Sequence, residues 1–293
     1  MKRRICVAVF TVLAVSLPAQ NVSDFEIQGN DDGTMTILNY KGMAKEIVIP
    51  EKIFNMPVTR LREGAFSEKG LTSVTIPGTV TFIGDGTFSG NLLTSVTIPE
   101  TVEYIGNNAF SANRLTDVAI PAKVVTIGSG AFRGNRLTSV RIPDSVIYIG
   151  SYAFSNNALA SVIIGNGALF IGDNAFYGDY YYYADHSYNE NNQIATITLG
   201  KNVTYIGNNA FCEHRASSII IPDSAVFIGG RAFEPNSGDS LTSITIGKYV
   251  MFGTYYEYGA FYRNGNFDEI YQNNDKRAGT YTYAKDGTWS YAR

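Results

Sequence analysis

The sequence predicts a repeat solenoid, and two observations lead to that prediction. A 22-residue block that opens LTSVTIP and closes IGxxAFxxN recurs in register from Leu71 to about Asn157, with looser copies on either side. Its apolar residues return at fixed positions, so each copy can bury the same face against its neighbours. A fixed period of this length is typical of a coil in which each repeat packs on the next. About nine such coils fit between residues 44 and 264.

Each copy begins with a short segment that alternates in the manner of a β-strand. In the copy that starts at Leu71, Val74 and Ile76 share its side, while Ser73 and Thr75 face the other side. Stacked coils would pair these segments as a parallel sheet with about 4.8 Å between strands. A second short apolar stretch follows in each copy and is succeeded by a glycine, as Gly84 follows Ile83. Either a positive φ or crowding by the next coil is the expected reason for that glycine.

A phenylalanine recurs once per coil, almost always after alanine, and predicts the spine of the core. Each buried ring should stabilise the fold by about 1.5–3 kcal/mol. The phenylalanines assigned to this core are Phe88, Phe110, Phe132, Phe154, Phe176, Phe211 and Phe233. Three residues further on an asparagine recurs, as in Asn113 and Asn135. A buried asparagine column would bond the turn backbones of neighbouring coils, which otherwise lack partners.

The repeat LTSVTIPxxVxxIGxxAFxxN resembles that of the BspA-like, Treponema-type leucine-rich repeat surface proteins over about residues 24 to 264. The lead-in FEIQGNDDGTMTILNYKGMAKEIVIP is also similar to the N-terminal segment of that family. The resemblance implies a right-handed coil, mainly β with short helical turns, whose parallel sheet lies on the concave face. It also implies a surface or secreted protein that binds host matrix proteins, plasma proteins or other bacteria.

The two ends of the chain depart from the repeat. Residues 1–19 have a basic start, an apolar run and small residues at the cleavage position, which is typical of a secretory signal peptide. Residues 20–43 and the aromatic segment 265–293 are expected to cap the sheet edges as β-hairpins, since each alternates around an Asp-Gly turn. For Trp289, packing over the last coil is favoured over a role as a ligand anchor. We expect export to the cell surface, the extracellular space or the periplasm.

Interruptions of the repeat are the candidate contact sites. The copy that starts at Leu159 is 35 residues long instead of 22. The interruption lies between Phe176 and Ile194 and contains six tyrosines, Tyr177, Tyr180, Tyr181, Tyr182, Tyr183 and Tyr188. Insertions in repeat proteins often map to the binding face, and tyrosine gives a large contact area at low entropic cost. A solvated loop without function is the alternative interpretation.

Four other residues complete the set of candidate contacts. Tyr255 and Tyr256 belong to a second swelling, on the last coil, which is expected to share the face of the insertion. Asp117 and Arg141 are the charged exceptions in the otherwise uncharged row of first segments. An aromatic stripe also stands directly before the second-strand isoleucines. Its residues are Phe82, Tyr104, Tyr148, Phe170, Tyr205 and Phe227, and Thr126 interrupts it once. Exposed, it would be an interaction surface; stacked from coil to coil, it is packing, which is the favoured interpretation.

Groups suited to catalysis or metal binding are sparse. His186 and His214 lie 28 residues apart, outside any zinc-ligand spacing, and His214 is interpreted as a structural substitute for asparagine. Cys212 directly follows a core phenylalanine, and the other cysteine lies in the predicted signal peptide. Acidic residues outnumber basic ones, 26 to 23, which disfavours nucleic acid as a partner. The sequence predicts no enzyme, no cofactor, no metal site and no membrane-spanning segment in the mature chain.

Two functional hypotheses follow. The first is an exported protein-binding module that adheres to host matrix or plasma proteins or to other bacteria. The second is a structural or scaffolding repeat protein of the cell envelope without a host ligand. Self-association would favour the second hypothesis, and weaker ligand binding after loss of the tyrosine-rich insertion would favour the first.

Overall fold

A computed structural model describes residues 21–178, 192–236, 241–284 and 287–292, which form a β-solenoid of about nine turns. The strands, in chain order, are β1 (Phe25–Gly29), β2 (Met35–Tyr40), β3 (Glu46–Val48), β4 (Lys52–Ile53), β5 (Met56–Leu61), β6 (Ser73–Thr75), β7 (Phe82–Ile83), β8 (Tyr104–Ile105), β9 (Thr126–Ile127), β10 (Ser139–Ile142), β11 (Tyr148–Ile149), β12 (Ser161–Ile164), β13 (Phe170–Ile171), β14 (Thr196–Thr198), β15 (Tyr205–Ile206), β16 (Ser218–Ile220), β17 (Phe227–Ile228), β18 (Ser243–Ile246), β19 (Met251–Phe252), β20 (Gly279–Tyr283) and β21 (Trp289–Ala292). The helices are a short 3-10 helix, Val22–Asp24, and α1, Phe267–Asn273.

The predicted solenoid is confirmed. Within the described ranges, no helix has both the length and the apolar character that crossing a membrane requires. The predicted signal peptide, residues 1–19, lies outside the described residues.

One long sheet runs along the coil. Its strands follow the order β1-β2-β5-β7-β8-β9-β11-β13-β15-β17-β19, with β4 paired to β5. Strands β2 and β5 pair in parallel with a register shift between Met35 and Thr36, and from β5 onward successive coils pair in parallel and in register, so that Tyr148 lies between Thr126 and Phe170. Aromatic side chains on these strands stack from coil to coil, with ring centroids 4.5 Å apart for Phe170 and Tyr205. The aromatic stripe is therefore packed, as expected, although most of its rings stay half-exposed.

The first segments of the copies form small sheets, not the continuous one that the sequence predicts. They pair as β3-β6, β10-β12-β14 and β16-β18, and the copies that start at Leu93 and Leu115 have no strand there. The continuous pairing lies at the second strands because a glycine after each of them lets adjacent backbones approach. A Cβ on Gly106 would lie 2.5 Å from the carbonyl carbon of Gly84. Neither glycine has a positive φ, so crowding is the reason for this glycine row.

The phenylalanine column forms the core of the coil. Its buried members include Phe88, Phe110, Phe132, Phe154, Phe176, Phe211 and Phe233. Successive rings stack face to face, with centroids 5.4 Å apart for Phe110 and Phe132 and 5.0 Å apart for Phe176 and Phe211. The rings therefore form a continuous stack through these coils.

Buried asparagines bind each turn to the turn before it. The Oδ1 atom of Asn135 accepts a hydrogen bond from the Leu115 amide at 3.0 Å. The Nδ2 atom of Asn135 donates to the carbonyl oxygens of Phe110 and Phe132, at 2.9 and 3.1 Å. One side chain therefore satisfies three backbone groups from two coils, as the asparagine column predicts.

The long copy keeps this contact through Asn192. Its Oδ1 accepts from the Leu159 amide at 3.0 Å, and its Nδ2 donates to the carbonyl oxygens of Phe154 and Phe176. The bond to Leu159 spans 33 residues instead of the 20 found in a regular copy, a difference of 13. The insertion is thus residues 179–191, and it ends directly before the asparagine position.

His214 takes the asparagine position of its own coil, as the sequence predicts. The residue is buried, and its Nδ1 accepts from the Ala216 amide at 3.0 Å. Its Nε2 lies 3.1 Å from the carbonyl oxygen of Phe233, to which it donates in this tautomer. Both ring nitrogens therefore serve the backbone.

Hairpins close both ends of the coil. Strands β1 and β2 pair antiparallel across a turn that contains Gly33, and β20 pairs antiparallel with both β18 and β21. Trp289 is buried and donates its Nε1 proton to the carbonyl oxygen of Asn264 at 2.9 Å, which supports the packing interpretation. Helix α1 was not predicted. Its Phe267 fills the space between Phe261 of the last coil and Trp289.

Candidate functional site

The residue two positions before the core phenylalanine adopts a left-handed backbone in most coils. The members of this row with positive φ are Gly64, Gly86, Asn108, Gly130, Tyr152, Asn174, Asn209 and Arg231. Glycine adopts this conformation freely and asparagine tolerates it. Tyr152 and Arg231, with φ of 59° and 57°, are the bulky exceptions in the row. Such a backbone conformation costs a residue of this kind about 1–3 kcal/mol.

Those two exceptions stand on the first and last of four successive coils, and a cleft of about 570 Å³ spans these coils. The aromatic part of its lining is Tyr152, Tyr177, Tyr255 and Tyr256. The other described residues of the lining are Arg133, Arg231, Asn174 and Asn209. Asn174 and Asn209 occupy the left-handed row on the two middle coils, so short side chains lie between the longer ones of Tyr152 and Arg231.

Contacts among the side chains hold the tyrosine rings in place. The guanidinium carbon of Arg133 lies 5.4 Å from the ring centroid of Tyr152, which is within cation–π range. The rings of Tyr255 and Tyr256 meet edge to face at 4.6 Å. Burial raises the pKa of Tyr255 above its ordinary value, and the adjacent Tyr256 adds to the shift. The Tyr255 phenol is therefore neutral at physiological pH and can donate or accept a hydrogen bond.

A buried carboxylate fixes Arg231. The side chain of Glu234 is 1% exposed and pairs with the Nε atoms of Arg231 and of Arg263, the second at 3.2 Å. The Cys212 thiol donates to Glu234 at 3.6 Å. Burial, and next the Glu234 charge, raises the pKa of the Cys212 thiol far above its ordinary value. Because a protonated thiol is a poor nucleophile, this cluster orients Arg231 and offers no thiolate chemistry.

Asn209 brings an unsatisfied acceptor to the wall of the cleft. The residue is 4% exposed, and its Oδ1 has no hydrogen-bond partner in the part of the chain that the structure describes. A buried acceptor without a donor costs about 1–3 kcal/mol. A ligand N–H group that reached this atom would remove that cost.

The structure brings three predicted contact residues together, because Tyr177, Tyr255 and Tyr256 line the same cleft. The tyrosines of the insertion itself, Tyr180, Tyr181, Tyr182, Tyr183 and Tyr188, lie outside the described residues. Asp117 and Arg141 are exposed on the row of first segments, and neither of them lines the cleft.

The rest of the lining was missed by the sequence interpretation. Tyr152 and Arg231 could have been recognised in the sequence as unusual, since every other member of the left-handed row is glycine or asparagine. Asn174 and Asn209 carried none, because asparagine is ordinary at this position. Among the described residues, no group of three or more His, Cys, Asp and Glu side chains is placed to hold a metal ion.

Stacked parallel strands, one buried phenylalanine per coil and an asparagine column together define a leucine-rich repeat solenoid. The chain belongs to the BspA-type leucine-rich repeat family. The repeat pattern of that family, described as "BspA type Leucine rich repeat region", matches this chain in six copies. The matches cover residues 59–183 and 181–286, which is more than half of the 293 residues. The family expected from the repeat is therefore confirmed.

Two solved structures are similar in fold. The leucine-rich repeat protein TpLRR of T. pallidum has a TM-score of 0.54 and 24% identity, over 66% of this chain and 88% of that one. A leucine-rich cell surface protein of Faecalibacterium prausnitzii A2-165 also has a TM-score of 0.54 and 24% identity, over 95% of this chain and 62% of that one. The chain thus spans less than two thirds of the F. prausnitzii protein. No curated protein matches the sequence significantly.

Proposed function

We propose that this protein is an exported, non-enzymatic binding module and that it engages other proteins through the tyrosine-lined cleft. The observation that carries the proposal is the convergence of four tyrosines and two arginines on one cleft. Tyrosine and arginine are enriched at binding hot spots, because both combine a large contact area with directional hydrogen bonds. The role we assign is adhesion to host matrix or plasma proteins, or to other bacteria.

Two features of the cleft support this proposal. The repeat offers glycine or asparagine for the left-handed row, yet Tyr152 and Arg231 stand there at a cost in backbone strain. Strain of this kind clusters at functional sites. Tyr256 is 78% exposed, so its ring is available to a partner.

A matched pair of substitutions tests the cleft. Tyr256 and Tyr249 both have left-handed backbones, with φ of 49° and 59°, and both are mostly exposed, at 78% and 71%. Only Tyr256 lines the cleft. Binding to a panel of purified matrix and plasma proteins, measured by surface plasmon resonance, should fall about fivefold or more in Tyr256→Asn. It should be unchanged in Tyr249→Asn, and equal binding by the two variants would remove the cleft from the proposal.

Deletion of residues 179–191 tests the insertion. The deletion joins Gly178 to Asn192 and creates AFYGN, the same arrangement as AFRGN around Phe132. It must stop before Asn192, because that side chain is a buried member of the asparagine column. Weaker binding with an unchanged far-UV spectrum and melting temperature would make the insertion part of the contact site. Unchanged binding would limit the site to the described cleft.

A scaffolding role in the envelope is the second candidate, and one observation favours it. Ile147, Leu169 and Val226 are 46%, 43% and 52% exposed, each directly before the stripe residue of its coil. An exposed apolar row can mediate association between copies. Sedimentation that shows assembly in the wild type and its loss in Leu169→Ser would favour this candidate, whereas a monomer at every concentration would count against it.

A further inference from the structure

We infer that the cleft accepts an acidic, extended peptide segment, whose carboxylates meet Arg133 and Arg231 and whose backbone donates to Asn209. This inference rests on the proposed function and names the chemistry of its ligand. It draws on the charge of the lining, on the length of the cleft and on the unsatisfied acceptor in its wall.

The charge of the lining differs in sign from that of the whole chain. The full sequence has a formal net charge of −3, yet among the described residues the lining of the cleft includes two arginines and no carboxylate. Glu234 is buried and shared between Arg231 and Arg263, so these three groups keep a formal charge of +1, and Arg133 adds a second positive charge beside the cleft. Arginine is suited to carboxylates because its planar fork can donate two parallel hydrogen bonds.

The length of the cleft suits an extended chain. Tyr152 and Arg231 are three coil steps apart, and steps of about 4.8 Å place their coils roughly 14 Å from each other. An extended peptide rises by about 3.3 Å per residue, so four or five residues would fill this span. An acidic side chain near each end of such a segment would meet Arg133, which stacks on Tyr152, and Arg231.

The acceptor in the wall favours a ligand that carries N–H donors. Oδ1 of Asn209 lacks a donor among the described residues, and carboxylates alone could not supply one. A peptide backbone supplies one N–H per residue, so a segment held by its carboxylates can also bond to Asn209. The tyrosine rings on both sides can pack on the aliphatic parts of the same segment.

The test compares paired synthetic peptides. Each hexapeptide of a fluorescein-labelled set carries two Asp or Glu residues, and its partner carries Asn or Gln at the same positions. Fluorescence anisotropy with the full chain should show the acidic member of the best pair binding roughly tenfold more tightly. That preference should shrink as ionic strength rises from about 50 to about 300 mM, because salt screens charge pairs near the surface.

Three variants identify the groups that act. Arg133→Gln should reduce the acidic preference about three- to tenfold, while Arg136→Gln, an exposed arginine outside the lining, should leave it unchanged. Asn209→Gly keeps the left-handed backbone and removes the acceptor. It should weaken acidic and amide peptides alike, by about three- to tenfold. The melting temperature of the Asn209→Gly variant should equal or exceed that of the wild type. If Asn209 had only a structural role, its removal would lower the melting temperature.

Several outcomes would overturn the inference. They are equal binding of acidic and amide peptides, no peptide binding tighter than about 1 mM, or binding of neutral oligosaccharides in place of peptides. These results leave the proposed function standing if Tyr256→Asn still weakens binding to the protein panel. If Tyr256→Asn has no effect on that panel, the proposed function fails separately.

Discussion

Replacing Asn135 by alanine should show how much the asparagine column stabilises the coil. The side chain makes three hydrogen bonds to buried backbone groups, at 2.9, 3.0 and 3.1 Å. The carbonyls of Phe110 and Phe132 would each keep a second asparagine donor, from Asn113 and Asn157. The amide of Leu115 would be left without its acceptor. One orphaned buried donor costs about 1–3 kcal/mol, and two weakened carbonyls add to that, so we expect a loss of about 2–4 kcal/mol.

Asn135→Asp separates the acceptor from the donor role of the same side chain. A carboxylate can still accept from the Leu115 amide, but it cannot donate to the two carbonyl oxygens and would be repelled by them. We therefore expect this variant to be less stable at pH 7 than at pH 4, where a protonated carboxyl can restore one donor. Asn107→Ala is the control, because Asn107 accepts from the Ser129 amide at a half-buried position and should cost about 1 kcal/mol or less.

Urea denaturation followed by circular dichroism gives the free energies of unfolding, and amide exchange at Leu115 reports on the local effect. Repeat coils can unfold in parts, so the exchange measurement is needed beside the global one. A loss below about 0.5 kcal/mol in Asn135→Ala, or an Asn135→Asp variant as stable as the wild type at pH 7, would refute the reasoning.

Three further predictions concern the cap, the glycine row and the cleft. Burial raises the pKa of Asp268 from 3.8 to about 6, so this group favours folding at pH 4. That contribution is lost as pH rises through 6, and Asp268→Asn should flatten about 3 kcal/mol of pH dependence in urea melts. Gly150→Ala should lower the melting temperature far more than Gly78→Ala, because its Cβ would lie 2.4 Å from the Ser129 nitrogen, while a Cβ on Gly78 meets nothing within 4 Å and the backbone there is not left-handed. Tyr152→Asn should leave the melting temperature unchanged or raise it, since relief of strain offsets the lost ring contact; a clear fall would argue against strain there.

The coil could be predicted from the sequence because every coil requires the same residue types at the same positions. Phe110 and Asn135 stand in positions that every coil needs, so the same residue types return until the pattern is unmistakable. The pairing of the strands was less accessible. A two-residue strand such as Phe82–Ile83 carries almost no periodic signal, and only the contact between Gly84 and Gly106 shows why adjacent coils approach most closely there.

The repeat pattern could not predict helix α1 or most of the cleft, because both depend on contacts between residues that lie outside the repeat or on different coils. Phe267 lies after the last copy, where no register exists to align it, and its role depends on contacts with Phe261 and Trp289. Arg133 and Asn209 come from different coils and meet only when the coil is built. Tyr177 and Tyr256 were predicted because tyrosine in an interruption is informative by itself.

The register of the repeat is nevertheless the most sensitive guide to where this protein differs from a plain coil. A left-handed backbone costs glycine nothing, so a row that uses glycine or asparagine at other coils has no structural need for Tyr152 or Arg231. The two departures bracket two coils that keep asparagine, and all four positions line one cleft. The two strained positions around one cavity, beside an unsatisfied acceptor, are the observations on which we propose a ligand there.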